Sequence, residues 1–325
     1  YTINWSPFGG SNLVAQNLSA GTYTALITDG IGCQASITAT ISEPSPITVS
    51  VQSTGNVSCN GGNDGSANVT ATGGAGNYTY SWSPIISSLP NVSNLSAGNY
   101  TVTIFDQNAC TSSISVNISQ PTTLSSSIGS VINPTCFGGT GSASAIGLGG
   151  TFPYTYAWAS NPPQFSSTAN GLFAGSTQVT ITDAKGCSTT NTAVLTQPTQ
   201  VITSAAPDIS ICLGQSGLLT ATASGGAGNY FYSWMPNGVI NAGSLLVQPL
   251  NTSSFLVFAS DQNGCSGTVD TIQAVVFQLP GANVILNGTS PICPGQSTLL
   301  TVQTLGTPGP LTYQWSNNLG SNDTI

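Results

Sequence analysis

The sequence predicts an all-β protein, built as a tandem array of small antiparallel β-sandwiches. Three observations predict it: the composition favours strands, several residue types recur with one period, and apolar residues alternate with hydroxyl-bearing residues in short segments. Thr, Val, Ile and Tyr, which are common in strands, dominate the stretches between Gly-rich turns. Because no stretch carries apolar residues at helical spacing over three turns, we expect negligible helix.

The repeat is marked by tryptophan and two series of cysteine, which share a period of about 77 residues. The tryptophans are Trp5, Trp82, Trp158, Trp234 and Trp315. The first cysteine series is Cys59, Cys136, Cys212 and Cys293, and the second is Cys33, Cys110, Cys187 and Cys265. The period predicts three complete sandwiches, at 45–121, 122–198 and 199–280. Residues 1–44 are then the C-terminal part of a repeat, and residues 281–325 are the N-terminal part of another.

Alternation within the strands indicates which residues form each core. In the segment 78–82, the aromatic residues Tyr78, Tyr80 and Trp82 share one face and hydroxyl residues share the other. A sugar-stacking platform is the alternative, but a strand with one polar face usually buries the other. We therefore expect a core position for the tryptophan of every repeat: Trp5, Trp82, Trp158, Trp234 and Trp315.

A sandwich of this size is marginal on core burial alone, and disulfides are predicted to compensate. We expect one bond inside each complete repeat: Cys59–Cys110, Cys136–Cys187 and Cys212–Cys265. Closing such a loop stabilises by about 4 kcal/mol in the chain-entropy model. Disulfides persist only in an oxidising compartment, which predicts export. Cys33 and Cys293 are expected to be half-pairs with partners outside the chain, since both chain ends cut through a repeat.

Charge is scarce, and its scarcity excludes several classes of partner. The chain carries one Lys or Arg, nine Asp or Glu and no His, with a net charge of −8. Nucleic acids and anionic lipid surfaces are excluded as partners, because both are bound through Lys and Arg. No apolar run approaches the length of a membrane span. Without histidine, His-based triads and His metal sites are excluded as well.

One aspartate per repeat keeps the period, in the pattern Asp-x-x-(Gly/Ala)-Cys, at Asp29, Asp106, Asp183 and Asp261. An Asp that opens a tight turn accepts hydrogen bonds from backbone N–H groups, and we favour this structural role. No cofactor is expected. Calcium needs six to eight oxygen ligands, so only a weak site, at Asp64 or Asp208 with backbone carbonyls, is conceivable.

Several segments resemble a known family. The segment 73–84, GGAGNYTYSWSP, the segment 94–104, NLSAGNYTVTI, and the segment 119–122, SQPT, resemble the SprB-type repeat of Bacteroidota surface adhesins. The unit is also similar to the PKD-like and Ig-like modules of proteins exported by type IX secretion. The fourth repeat departs from the SprB pattern, because Pro249–Thr252 replaces the Leu-Ser-Ala-Gly turn, and it is closer to a PKD/Ig-like module.

The resemblance implies a very long extracellular protein of the bacterial cell surface, used in adhesion and gliding motility and without an active site in the repeat. Its partners would be neighbouring repeats, lateral copies in a fibre and surface polysaccharide. Thr271 and Thr324 lie in Asp-Thr-Ile segments that resemble the Bacteroidota O-glycosylation motif. The resemblance favours a non-catalytic stalk or fibre. The alternative is an array of accessory modules that bind carbohydrate or a partner for a distant domain.

Overall fold

The chain forms strands and turns throughout the part that is described. In the computed structural model, this part comprises residues 1–236, 238–288, 290–305, 312 and 314–315, and it contains no helix. The predicted all-β class is therefore confirmed. No helix in the described part is long and apolar enough to cross a membrane.

The second and third repeats are sandwiches of two three-stranded antiparallel sheets. The strands of the second repeat are β4 (Thr48–Gly55), β5 (Gly65–Thr72), β6 (Thr79–Ser83), β7 (Asn91–Leu95), β8 (Gly98–Phe105) and β9 (Thr111–Ile118). Those of the third are β10 (Ser125–Ile132), β11 (Thr140–Leu148), β12 (Thr155–Trp158), β13 (Thr168–Phe173), β14 (Gly175–Thr182) and β15 (Ser188–Leu195). The sheets run β4-β5-β7 and β6-β8-β9, and β10-β11-β13 and β12-β14-β15.

The fourth repeat is larger and is not wholly antiparallel. Its strands are β16 (Ile202–Ala205), β17 (Ile209–Cys212), β18 (Gly217–Ser224), β19 (Phe231–Met235), β20 (Val239–Ile240), β21 (Ser244–Val247), β22 (Ser253–Ser260) and β23 (Ser266–Phe277). One sheet is β16-β18-β21, and the other is β17-β23-β22-β19-β20. β17 pairs with β23 in parallel, because Ala206–Asp208 carry the opening strand from one sheet to the other.

The two outer segments form single sheets. Residues 1–41 contribute β1 (Thr2–Ser6), β2 (Gly21–Thr28) and β3 (Gln34–Ile41), and residues 281–305 contribute β24 (Gly281–Asn287) and β25 (Leu299–Leu305). The predicted boundaries at 44, 121, 198 and 280 stay predictions. Each of them lies between strands that belong to different sheets.

Each complete repeat has a core of its own around its tryptophan. Trp82, Trp158 and Trp234 are buried, and each indole N–H donates to a backbone carbonyl seven or eight residues later in the chain. Trp5 and Trp315, in the outer segments, are half-buried rather than buried. The strand that pairs with the tryptophan strand in the same sheet adds to each core, for example β8, whose Tyr100, Val102 and Ile104 are buried. Alternation along these strands matches the pattern seen in the sequence.

Candidate functional site: the joints between repeats

The N-terminal end of each complete repeat is built around a buried aspartate. In the third repeat, Asp183 Oδ1 accepts hydrogen bonds from the backbone N–H groups of Lys185 and Cys187, both at 2.9 Å. Its other oxygen, Oδ2, accepts from the N–H of Thr151 at 2.8 Å. Thr151 directly follows the turn at Gly149 and Gly150, here called the Gly-Gly turn. One carboxylate thus holds the turn at residues 183–187, the cysteine turn, against the Gly-Gly turn. The sequence predicted the bonds within the turn but not the second partner.

The second glycine of the Gly-Gly turn is required by this packing. Gly150 has a φ of +61°, and a Cβ there would collide with Asp183 Oδ2. The N–H of Gly150 also donates to the carbonyl of Thr122 in the preceding linker, at 3.0 Å. The aspartate, the turn and the linker therefore form one unit at the start of the repeat.

The same carboxylate arrangement recurs, and it favours the charged form. Asp106 accepts from Ala75, Asn108 and Cys110, and Asp261 accepts from Ala227, Asn263 and Cys265. Hydrogen bonds from Ala75 and Ala227 are the largest cause of the lowered pKa values of Asp106 and Asp261. For Asp183, the largest single influence is burial, which raises the pKa. The hydrogen bonds from Thr151, Cys187 and Lys185 outweigh it, and the pKa is lowered.

The C-terminal end of each complete repeat carries the loop that contains its first-series cysteine, here called the cysteine loop. In the second repeat this loop lies beside the end of β9, since Val57 N donates to Ser119 O at 2.9 Å. Asn56 Oδ1 in turn accepts from Ser119 N at 3.0 Å. The third repeat has the corresponding bond from Thr196 N to Asn133 Oδ1, also at 3.0 Å.

The disulfides join neighbouring repeats, which overturns the predicted pairing. Cys59 of the second repeat bonds to Cys187 of the third, and Cys136 of the third bonds to Cys265 of the fourth. The pairings Cys59–Cys110, Cys136–Cys187 and Cys212–Cys265 within single repeats are wrong. A member of the first series thus pairs with a member of the second series one repeat later.

Strand direction explains why the pairing within a repeat fails. β4 and β9 lie together with their C-terminal ends at the same end of the sandwich, as the bond from Val57 to Ser119 shows. Cys110 precedes β9, so it lies a strand length from the Cys59 loop, about 23 Å at 3.3 Å per residue. Disulfide-bonded Cα atoms lie about 4.4–6.8 Å apart. The next repeat instead brings Cys187 to Cys59, with 5.7 Å between their Cα atoms.

Four cysteines carry exposed free thiols: Cys33, Cys110, Cys212 and Cys293. The sequence predicted that Cys33 and Cys293 bond to partners outside the chain, which stays a prediction, and it wrongly placed Cys110 and Cys212 in bonds within their repeats. Under the observed pairing, the partner of Cys110 would belong to the repeat before its own, and the partner of Cys212 to the repeat after its own. Neither partner cysteine occurs in the sequence 1–325.

Side-chain hydrogen bonds also cross from the cysteine loop to the linker. At the first disulfide-linked joint, Gln120 Oε1 accepts from Gly61 N at 2.7 Å. Asn60 Nδ2 donates to Pro121 O at 3.0 Å, and Thr123 Oγ1 donates to Asn60 Oδ1 at 2.9 Å. These bonds fix the linker against the loop that carries the disulfide.

The next joint repeats this arrangement. Gln197 Oε1 accepts from Gly138 N at 2.8 Å, in the position that Gln120 has one repeat earlier. Phe137 of the third repeat and Pro198 of the linker line a cavity of only about 70 Å³ with Asp261 and Cys265 of the fourth repeat. The two repeats are therefore in direct contact around the disulfide.

The only basic residue of the chain also lies at a joint. Lys185 is exposed in the turn before Cys187, and its charge reaches Asp64 in the cysteine loop of the second repeat. Hydrogen bonds from Ser58 are the main cause of the lowered pKa of Asp64, and the Lys185 charge adds to them. The Lys185 charge is the smallest of these causes, so the attraction between the two exposed side chains across this joint is weak.

The remaining predicted sites are placed as follows. Asp64 accepts from Ser58 N, and Asp208 accepts from Gln273 N, so both candidate calcium ligands hold backbone groups. No cluster of three or more His, Cys, Asp or Glu side chains suited to a metal ion occurs in the described residues. Thr271 is exposed on β23, and Thr324 lies outside the described residues.

The chain has local likenesses to known proteins. The model of the family "SprB repeat" matches residues 51–85 and 210–239, in the second and fourth repeats. The second match lies in the fourth repeat, in which Pro249–Thr252 replaces the Leu-Ser-Ala-Gly turn. No curated protein matches the chain.

Among solved structures, the chain is similar to the N-terminal eight Ig domains of Down Syndrome Cell Adhesion Molecule, at 13% identity and a TM-score of 0.28. This likeness covers 93% of the chain and 50% of that protein's chain, so the chain spans half its length. It is similar to fibronectin(III)-like modules of Clostridium thermocellum CbhA, at 14% identity and a TM-score of 0.25, over 47% of the chain and 95% of theirs. A titin fragment of three Ig domains shares 12% identity over 72% of the chain and 99% of its own, with a TM-score of 0.31.

Proposed function

We propose that the chain is a structural repeat segment, a stalk or fibre, of a long cell-surface adhesin or filament of the SprB type. The observation that carries this proposal is that a disulfide crosses each of two successive joints, Cys59–Cys187 and Cys136–Cys265. A bond within a repeat would stabilise that repeat alone. A bond between repeats fixes the direction in which one follows the next, which serves a molecule whose task is to span a distance.

The joints support stiffness in three ways. Each has a short linker with a proline, whose fixed φ reduces hinge motion. At each, a glutamine of the linker, Gln120 or Gln197, binds the cysteine loop of the repeat before it. Each is finally closed by a disulfide, so that bending would have to distort covalent geometry.

The location that we propose is extracellular, on a bacterial surface. Disulfides persist in oxidising compartments, and the SprB match agrees with a secreted or surface protein. Export by type IX secretion, an origin in the Bacteroidota and a part in gliding motility rest on the resemblance of the repeat. We propose no catalytic role, since the periodic aspartates hold turns together.

The stalk proposal is tested by the shape of the purified chain in solution. An end-to-end array, with each repeat adding roughly 35–40 Å, is expected to scatter as a rod well over 100 Å long. A radius of gyration of about 20 Å, typical of a compact chain of this length, would contradict the proposal. Negative-stain images of the native material should show the same filament at the cell surface.

A second function, binding to a carbohydrate or protein partner, is favoured by one recurring feature. The loop after the aromatic strand exposes a large apolar side chain in each of the first three repeats: Phe8 at 74%, Ile86 at 103% and Phe165 at 73%. The aromatic strand itself offers no platform, because its tryptophan is buried in the complete repeats. A glycan array probed with the chain and with the triple variant F8S/I86S/F165S would test this function. Binding that the variant loses would support it.

A further inference from the structure

The two disulfides overlap along the chain, and the overlap determines how far the array can stretch. The first bond spans 59–187, the second spans 136–265, and both enclose 136–187. We propose that the pair limits the extension of the array. When the array is pulled to its full length, residues 136–187 of the third repeat carry the force. This inference rests on the proposed stalk function for its biological purpose, but not for its physical content.

Covalent connectivity gives the argument its first step. The bond Cys59–Cys187 joins two positions into one point, and the bond Cys136–Cys265 joins two others into a second point. Three backbone segments connect these two points: 59–136, 136–187 and 187–265. A pull from the chain ends stretches all three in parallel, and the shortest becomes taut first. The two longer segments, which contain both linkers, then stay slack.

Contour lengths make the effect large. At about 3.5 Å per residue, the segment 136–187 extends to about 180 Å. With neither bond, the whole span 59–265 would extend to about 720 Å at the same spacing. The oxidised array therefore reaches its limit at about a quarter of the length of the reduced one.

The folded joints make the same connection before any unfolding. Residues 60–118 leave the C-terminal end of the second repeat and return to it, because Val57 N bonds to Ser119 O. Most of the repeat is thus a loop in the chain whose two ends, after β4 and before the linker, lie next to each other. The disulfide from Cys59 to the third repeat lies beside that linker, because Asn60 and Gly61 of its loop bond to Pro121 and Gln120 of the linker. A force that would pull residues 60–118 apart is therefore transmitted to the third repeat through the disulfide instead.

Single-molecule force spectroscopy on the full 325-residue chain, pulled from its two ends, tests the proposal. Outside residues 59–265 every form contributes equally, so differences in final contour length report this span. The oxidised chain is expected to end about 540 Å shorter than the chain reduced and alkylated. The variants C59S/C187S and C136S/C265S, each with one bond left, are expected to have a span of about 270 Å. The control C110S/C212S should match the oxidised chain.

The graded series makes the result decisive. A final contour length that is the same before and after reduction would overturn the proposal, as would single-bond variants that already reach the fully reduced length. Reduction of the wild-type chain requires no substitution, so a variant that failed to fold would not obscure the answer. A chain that shows the limit but forms no surface filament in native material would refute the stalk function alone.

Discussion

The joint between the second and third repeats differs from the joint that follows the fourth repeat, although both are short and contain proline. In the first, Gln120 precedes Pro121 directly, and its side chain binds the cysteine loop. In the second, Leu279 separates Gln278 from Pro280. The loop of Cys212 there bonds within its own repeat, through Leu213 N to Phe277 O and Gln248 Nε2 to Gly214 O.

The difference shows that the linker alone does not define a joint. Cys59 and Cys212 occupy the same position in their repeats, yet one is bonded to the following repeat and the other is an exposed thiol. The joint is closed by the cysteine turn of the next repeat, which the buried aspartate holds in place. The second-series cysteine that would meet Cys212 does not occur in the sequence 1–325, so Cys212 has an exposed free thiol in this chain.

The largest expected effect concerns backbone cleavage. The chain contains one site for trypsin, at Lys185, which Lys185→Gln removes. In that background, Gln200→Lys places a single site in a linker bridged by Cys136–Cys265, and Gln278→Lys places one in the linker after the fourth repeat. Digestion in urea with disulfides intact should leave the first variant at about 33 kDa and release residues 279–325 from the second.

Reducing gels of the same digests provide the control, because both variants must then show two fragments. Release of residues 201–325 from the Gln200→Lys variant without reduction would show that the disulfides lie within repeats. The two substitutions replace the same residue type at exposed linker positions, so protease access is matched.

The next effect is on stability. Cys59→Ser with Cys187→Ser should lower the free energy of unfolding by about 4–5 kcal/mol, because the bond closes a loop of 128 residues. Cys212→Ser, which removes an exposed free thiol, should change it by less than about 0.5 kcal/mol. Denaturant titration compares the two. Equal effects would mean that the bonded and unbonded joints do not differ.

A smaller effect is expected from acid. The folded-state pKa values of Asp106, Asp183 and Asp261 lie below the ordinary value of 3.8, so the unfolded chain binds more protons in this range. Stability should be constant well above pH 4 and decline as the pH falls from about 4 through the lowered values. Melting curves between pH 6 and pH 2 measure this decline.

Substitution of one aspartate tests the cause. Asp183→Asn should lower stability at pH 6, because the amide has one accepting oxygen and its NH2 group cannot accept the bond that the second carboxylate oxygen receives. It should also weaken the dependence on acid, because the amide carries no charge to lose. Glu43→Gln, at an exposed residue outside these turns, is the matched control. If the dependence of stability on acid were unchanged in Asp183→Asn, the charge of this carboxylate would not stabilise the joint.

The smallest effect separates the linkers themselves. Gln197→Ala removes the hydrogen bond to Gly138 N and should cost about 1 kcal/mol or less. Gln278→Ala, in the linker without this bond, should be close to neutral. Thermal melts of the two variants make the comparison, and a larger loss for Gln278→Ala would contradict it.

Local features of this fold could be predicted from the sequence. The alternation around Tyr78, Tyr80 and Trp82 indicates the buried face of a strand, because side chains on a strand alternate between two faces. The aspartate before each second-series cysteine indicates a turn, because a carboxylate reaches the N–H groups two and four residues later. Both features depend on neighbours within a few residues.

The pairing of cysteines could not be derived in the same way. Both series share one period, so Cys59 with Cys110 and Cys59 with Cys187 are equally regular in the sequence. The choice depends on β4 and β9 ending at the same end of the sandwich, which is a property of tertiary packing. The parallel pairing of β17 with β23 was missed for a similar reason, because the crossing at Ala206–Asp208 has no periodic counterpart.

The most direct test of the cross-linked joints is disulfide mapping of the chain, alkylated without reduction and then digested. We expect peptides that link Cys59 to Cys187 and Cys136 to Cys265, with Cys33, Cys110, Cys212 and Cys293 alkylated. Peptides that link Cys59 to Cys110 and Cys136 to Cys187 would contradict the account, because each repeat would then be closed on itself.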